Sequence, residues 1–140
     1  MINKSTDKIA NKLVNAFLKN KIISPLPKKY TKKISNAQIF RKLCESKIQK
    51  PISGFKAAGT GIPVLKKLKE KEPFYATVYK HNVLKNKKSV KINKFTMGIE
   101  LEVCYLINKN FFEFKKKVSK NNIKKFINYI APCIEVVGYR

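Results

Sequence analysis

Residues 98–107, GIELEVCYLI, have little choice but to form a strand, yet they hold two of the eight acids in a chain with 32 Lys and Arg. The run is rich in strand-forming residues, and polar and apolar side chains alternate along its first half. Alternation sends Glu100 and Glu102 to one face and Ile99, Leu101 and Val103 to the other. Neighbouring carboxylates repel and raise each other's pKa unless a cation sits between them. A wet sheet face whose glutamates meet lysines is the structural explanation; a bound cation is the functional one.

Glu135 adds a third acid, in PCIEVVG, another apolar stretch with strand character. Burying an isolated carboxylate is costly, so an acid in such a segment wants a counter-charge. Lysine serves, and a divalent metal serves better, because hard cations take a few carboxylate oxygens and keep other positions for water or substrate. Two acids from one strand and one from a second make a reasonable facial set. Salt-bridged structural glutamates are the competing explanation.

The rest of the composition narrows the classes. At 140 residues and 44% hydrophobic content, the chain suits one domain with a real core. No run reaches the roughly 18 apolar residues of a membrane span, and the amphipathic N-terminus has no apolar h-region, so a cytoplasmic protein is expected. Cys44, Cys104 and Cys133 form no CxxC pair and read as reduced, partly buried thiols. The net charge of +24 invites nucleic acid, but arginine appears only at Arg41 and Arg140 and the lysines are spread along the chain. A compositional drift toward Lys, Asn and Ile explains the charge better than a dedicated nucleic-acid surface.

Along the chain, Ile9, Leu13, Ala16 and Phe17 recur at helical spacing over residues 6–20, with Ser5 or Thr6 as cap. Pro25 and Pro27 mark a turn or extended linker. A second helix starts after Ser35 or Asn36, buries Ile39, Phe40 and Leu43, and ends by Pro51. ISGFKAAGTG sets three glycines around Lys56 and reads as a strand entering a tight turn at a ligand-accessible surface. IPVLKKLKE suits a short helix. FYATVYKHNVL and SVKIN read as strands separated by the turn-like KNKK. NKNFFEFKKKVSK is loop plus irregular structure. Residues 120–131 read as a helix capped by Ser119, with Ile123, Phe126, Ile127 and Ile130 on one face and Pro132 ending it before a last short strand. Helices first and strands after give an α+β fold, divided into a helical segment 1–50 and a β-rich segment 51–140.

Taken in order, these motifs resemble the 2-keto-4-pentenoate hydratase group of the fumarylacetoacetate hydrolase superfamily, over most of the chain. SNAQIFRKL resembles the helix before the first active-site strand, ISGFKAAGT the G-x-K motif, and EPFYATVY the strand that follows. GIELEVCYLI resembles the I-E-x-E metal strand, and IAPCIEVVGYR the segment carrying the third acid. Each motif is short; their order and spacing carry the resemblance. It implies the first part of a mixed β fold, with Glu100, Glu102 and Glu135 holding Mg²⁺ or Mn²⁺. It implies a 2-oxo acid substrate chelated through its carboxylate and keto oxygens, and water added to the distal double bond. Lys56 would orient the substrate carboxylate or assist proton transfer. Decarboxylation of a 2-oxo dicarboxylate and hydrolysis of an acylpyruvate use the same metal logic. A homo-oligomer is expected.

Three departures from the family pattern matter. Ala58 stands where relatives commonly have a glycine two residues after the motif lysine, with Gly59 following. KHN replaces a segment that often carries an acid, leaving His81, whose side-chain type titrates near neutrality, as a second proton-transfer candidate beside a solvated-loop explanation. The chain also stops at Arg140, where family members continue. That implies an N-terminal fragment, one half of a split gene needing a C-terminal complementing chain, or an inactive remnant serving as an interaction module. A basic nucleic-acid-binding protein is the alternative from another class.

Overall fold

A computed structural model describes residues 4–84, 89–92 and 94–138. The chain is α+β and forms two compact units, one up to Lys91 and one from Ile92 onward. In the first unit α1 (Lys4–Leu18), α2 (Lys28–Thr31) and α3 (Ile34–Lys47) precede β1 (Ile52–Ala58), α4 (Ile62–Leu68) and β2 (Phe74–Tyr79). In the second, β3 (Thr96–Ile107) leads through the one-turn helix α5 (Asn110–Glu113) and a 3-10 turn at Ile123–Phe126 to β4 (Ile127–Gly138). Both sheets are two-stranded and antiparallel, β1 with β2 and β3 with β4.

The helical core follows from apolar residues four apart. Ala10 and Val14 of α1 meet Phe40 and Cys44 of α3, and Tyr30 of α2 closes the cluster with its ring 4.6 Å from that of Phe40. Ile9, Leu13 and Leu43 pack around it. Ile39 does not: it is 68% exposed, because the buried stripe of α3 runs through Phe40 and Cys44. The caps also differ from expectation. Ser5 and Thr6 lie inside α1, where Thr6 Oγ1 hydrogen-bonds the Tyr30 hydroxyl at 3.0 Å. Helix α3 begins at Ile34 with no side-chain cap, and Asn36 Nδ2 donates to Lys29 O instead. The proline-flanked linker contains α2, a single helical turn fixed by burial of Tyr30.

β2 is held against α3 by polar contacts: Thr77 N–H donates to Glu45 Oε1, Gln38 Nε2 to Tyr75 O, and the Arg41 guanidinium lies over the Tyr75 ring at 4.5 Å. The β1–β2 hairpin thus belongs with the helices. The expected turn after β1 is present, and Gly59 takes φ +69, where a Cβ would lie 3.0 Å from the Phe74 ring. The strand of FYATVYKHNVL stops at Tyr79, since Lys80–Asn82 close a 3-10 turn. Ser89–Ile92 are not strand, and KNKK lies outside the described residues.

The largest correction concerns residues 120–131. Ile123 and Phe126 do sit in a helical turn, but it is a single 3-10 turn, and Ile127 and Ile130 belong to β4. Ser119 and Asn122 close the loop reciprocally, Ser119 N–H donating to Asn122 Oδ1 and Asn122 N–H to Ser119 O. Pro132 lies inside β4 opposite Val103. A strand with one open edge tolerates a proline, and eleven paired positions along β3 outweigh a four-residue helical spacing. Phe126, 3% exposed, anchors the far end of this ribbon with the rings of Phe111 and Phe114, 5.5 and 4.8 Å away.

Candidate metal centre

The ribbon register brings the three acids together. Glu100 pairs directly with Glu135 across the ladder, and Glu102 pairs with Cys133, so Glu102 is the diagonal neighbour of Glu135. Period-two alternation places all three on one face. One carboxylate oxygen from each lies within 4.8 Å of the others. Neighbouring oxygens on one side of a hard divalent ion sit roughly 3–3.5 Å apart, so the three anionic oxygens offer a donor set for such an ion once their side chains close in from the 4.8 Å limit.

The setting is wetter than the apolar sequence context suggests. Glu100 is exposed and Glu102 and Glu135 are half-buried. The desolvation argument for a counter-charge is accordingly weaker. Cys133 and Cys104 share this face. Partial desolvation, then Cys104 and the Glu102 and Glu135 carboxylates, raise the pKa of the Cys133 thiol. Both cysteines are exposed, not partly buried as the sequence suggests; only Cys44 is.

The other two candidates lie in the first unit. Lys56 is half-buried in β1, opposite Ala76 of β2. Ala58 ends that strand and Gly59 makes the turn. His81, in the 3-10 turn, is exposed, and its ring stands 6.0 Å from both the Tyr79 and the Phe17 rings. Those packing partners give it a structural occupation that a lone polar residue in a sequence does not reveal. Comparison with known proteins gives no match to any family model, curated protein or solved structure.

Proposed function

We propose that the chain is a metal-dependent lyase of the 2-keto-4-pentenoate hydratase kind, or a part of one, adding water to a 2-oxo-alkenoate in the cytoplasm. The observation that carries this reading is the convergence of Glu100, Glu102 and Glu135 within 4.8 Å on one ribbon face. Mg²⁺ or Mn²⁺ held there supplies Lewis-acid polarisation to a 2-oxo acid that chelates it. The three glutamates bind and fix the ion. In this reading the assembly also self-associates.

The test separates binding from turnover. Calorimetric titration of the full chain with Mn²⁺ gives one site, and Glu102→Gln weakens it by at least about 10–100-fold, the range seen even for losses next to metal ligands. Unchanged Mn²⁺ binding in the Glu102 variant sinks the metal centre. Metal binding without turnover of any 2-oxo acid sinks the lyase reading and keeps the centre.

A further inference from the structure

The face of the β3–β4 ribbon opposite the acids is apolar and open. Ile99, Leu101 and Val103 of β3 lie on it with Ile130, Ile134 and Val136 of β4, all between 39% and 84% exposed. Tyr105, 52% exposed and paired with Ile130, extends it along β3. Neither strand contains a Lys or Arg, whereas 32 cationic residues in 140 would place about five on these 24 positions (24 × 32/140). Whatever spreads lysine over the remainder of the chain is excluded here. Open apolar patches this large mark interaction surfaces, and a two-stranded ribbon is at best marginally stable without something packed on it.

We propose that this face is a self-association surface, on which a second copy of the chain stacks its own ribbon, sheet face to sheet face. Three observations select a second copy. The face carries no charge, so two copies meet without opposing like charges, and there is no charge pattern for a different partner to read. The six side chains, worth roughly 150–200 Å² each when fully open, expose on the order of 700 Å² per copy, close to the about 800 Å² per partner of a standard interface. An isologous two-fold contact also needs only one patch, used twice.

The +24 charge on each copy opposes the approach at long range, and salt screens that repulsion within about 8–10 Å at 0.1–0.15 M. Association through this face therefore strengthens as salt is added, whereas binding to an acidic partner or a nucleic acid weakens. The acids point the other way along the ribbon, so the metal centre and the seam are separable, and the proposal stands or falls apart from the lyase reading.

Sedimentation equilibrium of the full chain in 0.05 and 0.5 M NaCl tests it. The expected species is a dimer of twice 16.1 kDa, tighter at the higher salt. Leu101→Lys, at a position 84% exposed in the single copy, weakens the dimer at least about tenfold, as does the milder Val103→Ser, both with the helical far-ultraviolet circular dichroism of the first unit unchanged. Glu102→Gln leaves the dimer unchanged. A monomer at every concentration overturns the proposal, including one that associates only when a C-terminal complementing chain is supplied. So does a dimer indifferent to both Leu101→Lys and Val103→Ser, or one that falls apart as salt is added.

Discussion

At the residue scale, the three cysteines show how burial separates side chains that a sequence lists as equals. Cys44 lies in the helical core at 6% exposure, and desolvation, ahead of opposing effects from Lys47 and Glu45, pushes its thiol up to about 11 from an ordinary 9.0. Two pKa steps mean about a hundredfold less thiolate at a given pH below both values, before access is counted. Alkylation at pH 8 with intact-mass readout should therefore show two additions, at Cys104 and Cys133, with the third at least about a hundred times slower. Three additions at one rate would place Cys44 outside the core. Asp7 illustrates the opposite kind of residue. Its hydrogen bond from Lys47, 2.7 Å away, holds its carboxyl below 3.8, so the tie between α1 and α3 is present above that pH and is lost as pH falls through the lower folded value.

At the element scale, legibility depended on how far apart the deciding residues lie in the chain. Alternation in GIELEVCYLI is local, and both the strand and the shared face of Glu100 and Glu102 follow from it. Helix α1 is likewise written in its own spacing. Residues 120–131 defeat that approach, because Ile123, Phe126, Ile127 and Ile130 satisfy the helical period while the alternative, pairing with β3, is invisible within the segment. The direct opposition of Glu135 and Glu100 had the same non-local origin. It depends on where the intervening loop lets β4 start, and that loop is fixed by Phe126 against Phe111 and Phe114. Phe126→Ala removes the one nearly enclosed aromatic ring among the described residues of the second unit and should cost that unit about 3–5 kcal/mol. A ribbon of marginal stability has no such reserve, so limited proteolysis should cut within residues 108–126 of the variant while α1–α3 survive as in the wild type. Equal resistance of the two chains would mean that the aromatic cluster does not set the ribbon's register.

At the scale of the whole molecule, composition says less than its distribution. The surplus of lysine reads as nucleic-acid chemistry only when summed; along the chain it surrounds two cation-free strands that hold three of the eight acids. A helical unit and a ribbon unit turn that segregation into a division of labour that can be measured. A cation held by Glu100, Glu102 and Glu135 would bridge β3 to β4, so its binding free energy would be added to the ribbon. At a hundred times the dissociation constant that addition is about 2.7 kcal/mol, equal to about a hundredfold slowing of exchange for amides that open with the ribbon. Hydrogen exchange with and without saturating Mg²⁺ should therefore slow across Gly98–Tyr105 and Ala131–Val137 and leave Ala10–Val14 and Phe40–Cys44 where they were. Uniform slowing over both units would show that the ion stabilises the chain through general screening of its charge. Slowing confined to the helices would place the cation somewhere other than the three glutamates.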